Sequence, residues 1–244
     1  MDLSKYLKEI EQFLKNYLAS SSCKNYVLGL SGGVDSSLVA AIARKAVGKE
    51  HLFCYALDID SDPSDVEDAK KVAKQLDLQL EVINLSKTYH QALNDLGGEE
   101  FIRLTKSNLK VRLRMCALFA YAQEHQGLVL GTDNWDERYV GYFTKYGDGA
   151  ADILPIVHLT KAEVRAACKL YGLSDDLANR VPTAGLFAGQ TDEGEMGIRY
   201  DELDAYLLGK EVSPKVKERI EHLHKISEHK RIEIPTPKEP LRKQ

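Results

Sequence analysis

The chain has 244 residues, 43% hydrophobic and 29% charged, with a formal net charge of −4. That length suits one α/β domain over 1–244 with a sizeable core, and the acidic balance argues against a general nucleic-acid binder. No apolar run approaches the ~18 residues of a membrane span, the charged start Met1-Asp2-Leu3-Ser4-Lys5 does not read as a signal peptide, and four scattered cysteines without a C-x-x-C pair predict reduced thiols and a cytoplasmic protein.

Residues 3–18 place Leu3, Leu7, Ile10, Leu14 and Leu18 on one helical stripe, to be buried on the chain's own core or on a partner. Strand-length apolar runs follow at 26–30, 52–57, 79–85, 127–131 and 153–157, separated by helix-patterned stretches at 36–47, 64–76, 105–125 and 161–171. This alternation predicts a Rossmann-like, five-stranded parallel sheet with helices on both faces. Ligands in such sheets bind beyond the carboxyl ends of the strands, and the polar clusters lie there: Ser31 to Ser37, Asp58 to Asp62, Gly131 to Glu137, and the start of the 161–171 helix. Thr160-Lys161-Ala162-Glu163 has capping-box spacing, which accounts for Thr160 and Glu163 but leaves Lys161 for another role. From 182 to 199 the pattern dissolves into Pro, Gly, Thr and acids, a length that predicts a functional lid. Helices around 201–208 and 213–228 then lead into a C-terminal tail.

The segment Ser31-Gly32-Gly33-Val34-Asp35-Ser36-Ser37 is the most informative of these clusters. A glycine-rich turn between a strand and a helix presents backbone N–H groups to an anion, and the helix dipole adds partial positive charge. The glycines permit positive φ and close approach of a ligand, and the serines add hydroxyl donors. Asp35 is unsuited to contact phosphate directly but suits Mg²⁺ carried by that phosphate, because hard cations take carboxylate oxygens. The loop lacks the terminal Lys-Ser/Thr of a Walker A motif. A second segment, Gly131-Thr132-Asp133-Asn134-Trp135-Asp136-Glu137 followed by Gly141 to Asp152, is rich in glycines and acids and joins the fourth and fifth runs. An acid in this stretch would complete a Mg²⁺ site begun by Asp35.

The loop resembles the pyrophosphate-binding SGGxDS loop of the ATP pyrophosphatases, which cleave ATP between its α and β phosphates. The fuller series SGGVDSS, the helix Asn108 to Met115 bearing Arg112 and Arg114, GTDNWDE, GYFTKYGDGAAD, Leu159-Thr160-Lys161, Pro182 to Leu186 and Glu228-His229-Lys230-Arg231 occurs in order and resembles the bacterial ammonia-dependent NAD⁺ synthetases over residues 5 to 235. The resemblance implies an adenine nucleotide alpha hydrolase-like fold and the ATP-dependent amidation of nicotinic acid adenine dinucleotide (deamido-NAD⁺). Reaction through an acyl-adenylate yields NAD⁺, AMP and pyrophosphate. It further implies that Gly29, Leu30, Ser31, Gly32, Gly33, Val34, Asp35, Ser36, Thr132, Lys161 and Thr183 contact ATP, and that Asp35 and Glu137 hold Mg²⁺. Arg112, Lys145, Asp152, His229 and Lys230 would contact deamido-NAD⁺, partly across a homodimer interface.

The chemistry agrees with those residue types. A carboxylate attacking the α-phosphate needs its repulsion screened, and the leaving pyrophosphate needs its charge held, roles for the loop and Lys161. Asp152, then Asp148, are candidates to take a proton from ammonium. Ammonia is the expected nitrogen source, since no segment of glutaminase size precedes the loop. The alternatives are a sister amidotransferase such as the synthetase half of GMP synthetase, a tRNA-thiolating relative, or a non-catalytic adenine-nucleotide sensor. The first fits the later motifs poorly, the second lacks cysteine pairs, and the third leaves the paired acids and Lys145 unexplained.

Overall fold

The computed structural model describes residues 1–178 and 191–238. Helix α1 (Leu3–Ser20) opens on Asp2, whose carboxylate accepts the Lys5 N–H, and buries Leu7, Ile10 and Leu14. Strand β1 (Asn25–Gly29) leads through the Ser31–Gly33 turn into α2 (Val34–Val47). β2 (Leu52–Asp58), α3 (Pro63–Gln75), β3 (Leu80–Asn84), α4 (Ser86–Asp95), α5 (Arg103–Glu124) and β4 (Gly127–Leu130) follow. The chain then forms α6 (Trp135–Val140), α7 (Lys161–Leu170), α8 (Asp175–Ala178), α9 (Asp192–Met196), α10 (Tyr200–Leu207) and α11 (Pro214–Ile226).

All paired strands are parallel, in the order β3-β2-β1-β4. Tyr26, Val27 and Leu28 of β1 are fully buried, as expected of a central parallel strand covered on both faces. Tyr26 and Leu28 join the core shared with α1, α2, α3 and α7, while Val27 faces the cluster containing Tyr55, Ala122 and Val129, under α5. A third cluster, Val140, Met196, Ile198, Tyr200, Leu203 and Ile220, holds α6, α9, α10 and α11 together.

The expected fifth strand is absent from the sheet. Residues 153–157 supply a single parallel bridge, Leu130 to Ile153, flanked by Gly131 N–H to the Ile153 carbonyl and Ile153 N–H to the Val129 carbonyl. Pro155 lies two residues on and has no N–H with which to extend the ladder. The expected lid at 182–199 falls partly outside the described residues, and Thr183, expected to contact ATP, lies outside them. Its described part is folded: α9 is capped by Thr191, and Asp192, Met196 and Ile198 are buried.

The strand order reverses between β1 and β4, the first leading outward to β2 and the second reached by return through α5. A parallel sheet opens a crevice at such a switch point, beyond the carboxyl ends of the strands. The Ser31–Gly33 turn and the Gly131–Asn134 segment leave the sheet there.

Candidate active site

A cleft of about 850 Å³ lies at that edge, lined among others by Ser31, Asp35, Thr132, Arg112, Lys145 and Lys161. Its floor is the turn before α2. Gly32 has φ +79°, and a Cβ there would lie 2.7 Å from the Ala69 backbone nitrogen, so both conformation and packing require glycine. The serines brace the turn internally. Ser31 Oγ accepts the Gly33 N–H at 3.2 Å and lies 3.0 Å from Ser36 Oγ, while Ser37 Oγ donates to the Gly33 carbonyl at 2.7 Å. The first intrahelical bond runs from Ser37 N to Gly33 O, so Val34, Asp35 and Ser36 supply the N-terminal amides of α2.

Three charged groups far apart in the chain meet above this turn. Lys161 Nζ lies 2.6 Å from Asp35 Oδ2 and 2.9 Å from Glu137 Oε1, and the lysine is only 2% exposed. Local sequence places each one. Asp35 is in the first turn of α2, and Lys161 opens α7 behind the Thr160–Glu163 capping box. Glu137 closes the capping box of α6 on Asn134, whose side-chain amide also donates to Asp35 Oδ1 at 2.9 Å. Burial pushes the Glu137 carboxyl up to about 7, against the pull of Lys161. Burial alone would lower Lys161, but Asp35 and Glu137 outweigh it and hold the ammonium form.

The pair fits a hard divalent cation. Asp35 and Glu137 already converge on one positive centre, and Mg²⁺ takes one or two carboxylates beside substrate phosphate oxygens. Among the described residues no group of three or more His, Cys, Asp or Glu side chains assembles as a metal site, so such an ion would need oxygens from a ligand.

The other side of the cleft is cationic. Arg112 on α5 donates from Nε and Nη2 to the Lys145 carbonyl, at 3.4 and 3.3 Å. Lys145 Nζ donates to the His229 carbonyl at 2.5 Å. Lys230 Nζ donates to the carbonyls of Gly141 and Phe143, both at 2.7 Å. The 228–230 turn reaches this wall because Gly141, at φ +72°, lies against Ser227 where a Cβ would come within 2.2 Å of the serine's own. Arg114, in contrast, is a brace: it donates to the Leu57 carbonyl and to Ser61 Oγ at the end of β2.

The two candidate proton acceptors separate. Asp148 lines the cleft, accepts the Thr144 N–H at 2.7 Å, and is pushed up by burial. Asp152 is absent from the lining, and its Oδ2 accepts the Val129 N–H at 2.7 Å, supporting the irregular sheet edge.

Residues that the sequence did not single out complete the surroundings. Asp136 is fully buried and accepts the Lys161 N–H at 2.8 Å, while Asp204 accepts the neighbouring Ala162 N–H at 3.1 Å. Burial, with the adjacent Asp204, raises Asp136 to about 9. Tyr200 Oη lies 3.1 Å from both Glu137 Oε1 and Asp192 Oδ2, and Asp192, like Glu137, lines the cleft. Only Asn134 carried a readable signal, the Asn-x-x-Glu spacing of a capping box.

Comparison with known proteins bears on the family and the fold. The model of the family described as NAD synthase matches residues 6–234. An NH(3)-dependent NAD(+) synthetase of Mesoplasma florum is 42% identical over the whole of both chains. Among solved structures, an NMN synthetase from Francisella tularensis superposes with a TM-score of 0.92 at 38% identity, covering 97% of this chain and 99% of its own. An NH3-dependent NAD synthetase from Campylobacter jejuni, in complex with the nitrate ion, superposes with a TM-score of 0.82 at 26% identity, covering 98% and 100%.

Proposed function

The chain belongs to the NAD synthase family, and on that footing we propose the reaction and the parts its residues play. It is a ligase that forms a C–N bond between ammonia and the pyridine carboxylate of deamido-NAD⁺, using ATP through an acyl-adenylate and releasing NAD⁺, AMP and pyrophosphate. The observation that carries the residue assignment is the convergence of Asp35, Glu137 and Lys161 at the mouth of the phosphate-type turn.

In this reading the turn from Gly29 to Ser36, with Thr132 and Lys161, binds the ATP phosphates, and Thr183 is a further ATP contact. Asp35 and Glu137 hold Mg²⁺, which when bound supplies charge neutralisation at the phosphates. The α2 amides and Lys161 stabilise the negative charge that grows on the leaving pyrophosphate. Arg112, Lys145 and Lys230, which line the cleft, orient the dinucleotide, with His229 as a further contact; Asp152, expected among these contacts, is absent from the lining and is committed to the Val129 N–H. Their positive charge also eases the approach of a carboxylate to an anionic phosphate. For the second step, Asp148 is better placed than Asp152 to take a proton from ammonium, since it faces the cleft and Asp152 is committed to Val129.

Three further proposals accompany this. The exposed Leu96, Ile102 and Leu104 near the start of α5 support a homodimer, which a monomeric sedimentation profile at micromolar concentration would contradict. The free cysteines support a cytoplasmic location. Among the described residues no helix is long and apolar enough to cross a membrane, and we propose no nucleic-acid partner.

The likeness to an NMN synthetase favours one second reading, in which the substrate is nicotinic acid mononucleotide and lacks the distal adenylate. Both substrates present the same pyridine carboxylate to ATP. Supplying Mg-ATP and ammonium with each in turn, and following AMP with the amidated product, distinguishes them. Deamido-NAD⁺ turned over at the higher kcat/KM supports the first reading; the reverse order replaces it with the second. AMP release without either amide would refute both.

A further inference from the structure

Helix α10 sends a side chain to the carboxylate–lysine cluster from outside the cleft. Tyr200 is 2% exposed and belongs to an apolar cluster with Met196, Ile198, Leu203 and Ile220. Phenylalanine would satisfy that packing, and a buried hydroxyl costs stability unless it has partners. Its partners are Glu137 Oε1 and Asp192 Oδ2, both at 3.1 Å, while Lys161 Nζ lies 4.7 Å from the ring centroid. One turn along the helix, Asp204 holds the Ala162 N–H beside Lys161. The same short helix thus touches both arms of the cluster.

The hydroxyl is placed to orient, not to react. Tyr200 is absent from the cleft lining, whereas Glu137, Asp192 and Lys161 are part of it. Glu137 Oε1 lies within reach of Lys161 Nζ on one side and the phenol on another, and among the described residues Oε2 has only a long 3.4 Å bond from Asn134 N. The phenol has one proton and two carboxylates within reach, so it serves one at a time; when Lys161 turns to a phosphate, it is the short-range side-chain donor among the described residues that can turn to Oε1. We infer that Tyr200 is a positioning residue for the reaction: its hydroxyl holds the Glu137 carboxylate in the orientation that shares a cation with Asp35. It thereby sets the Mg²⁺ requirement for ATP binding without touching either ligand. This inference rests on the reading of Glu137 as a metal ligand.

The test is ATP binding by calorimetry at graded Mg²⁺, with no dinucleotide or ammonium present, in wild type, Tyr200→Phe, Glu137→Gln and the double variant. Tyr200→Phe keeps the ring and its packing, and a thermal melt checks that the fold is retained. Tyr206→Phe, on the same helix, loses a hydroxyl whose partner is the exposed Glu221, and serves as control. Tyr200→Phe is expected to raise the Mg²⁺ concentration for half-maximal ATP binding about tenfold or more, the size of a buried hydrogen bond to a charged group. The control stays at the wild-type value. In the Glu137→Gln background the same change adds less than about twofold, because the two groups act as one unit. A wild-type Mg²⁺ requirement in folded Tyr200→Phe, or an undiminished tenfold effect in the double variant, overturns the inference alone. An unchanged Mg²⁺ requirement in Glu137→Gln overturns the metal reading and this inference with it.

Discussion

Replacing Lys161 with methionine removes the cation between Asp35 and Glu137 while keeping most of the side-chain volume. Lys161 Nζ lies 2.6 and 2.9 Å from the two carboxylates and the residue is 2% exposed, so the change leaves buried charges unpaired. Breaking a buried pair by removing one partner costs about 3–5 kcal/mol, and in a chain of this size each kcal/mol moves Tm by about 2–4 °C. We expect the metal-free variant to melt roughly 6–20 °C below wild type. The diagnostic is what Mg²⁺ does without ATP. In wild type the lysine occupies the point of convergence, so millimolar Mg²⁺ leaves the melt nearly unchanged. In Lys161→Met the two acids stand without their cation and Mg²⁺ takes its place, restoring about 2.7 kcal/mol at a hundred times its Kd. Differential scanning fluorimetry with and without Mg²⁺ reads both effects. Equal stabilisation of both proteins by Mg²⁺, or a variant as stable as wild type without it, would refute the reasoning.

Asp35→Ala is expected to keep the fold yet lower ATP- and deamido-NAD⁺-dependent pyrophosphate release by about a hundredfold or more; near-normal release removes Asp35 from the metal site. Asp136 is held at about 9 in the fold against 3.8 when unfolded, by burial and by Asp204. The folded form therefore binds the extra proton, so this contribution is full below about pH 4 and drains away as pH rises through about 9, by at most about 1.4 kcal/mol per unit. Asp136→Asn mimics the protonated acid and should lose less Tm than wild type between pH 6 and pH 9, and parallel melting curves would contradict this. Gly32→Ala forces positive φ on alanine and drives its Cβ into the Ala69 nitrogen. We expect about 1–3 kcal/mol of destabilisation together with weakened ATP binding, checked by denaturant unfolding and calorimetry. Cys54 and Cys168 are buried and pushed up to about 12, so iodoacetamide at pH 8 should label exposed Cys116 and spare both until the protein unfolds.

How far the molecule can be read from its chain depends on the range of the interaction that forms each part. The Ser31–Ser37 turn and the Thr160–Glu163 cap were legible because their determinants lie within a few residues: two glycines at a strand end, and a hydroxyl three positions before a glutamate. The parallel sheet followed from the spacing of apolar runs. The fifth run misled because composition registers Ile153, Leu154 and Ile156 but not the hydrogen bond that Pro155 cannot donate. Asp152 belongs to a segment rich in acids, and nothing local indicates that its carboxylate reaches the Val129 amide.

By itself the sequence determined the βαβ alternation, the anion-binding turn, and the order of motifs that identifies the family. The tertiary structure decided which charges meet. Lys161 lies 126 positions from Asp35 and 24 from Glu137, and Tyr200 lies 63 from Glu137. No periodicity or cap relates residues so far apart. Their meeting is set by the sheet's switch point, which brings the ends of β1 and β4 side by side, and by the apolar cluster that seats α10 behind them.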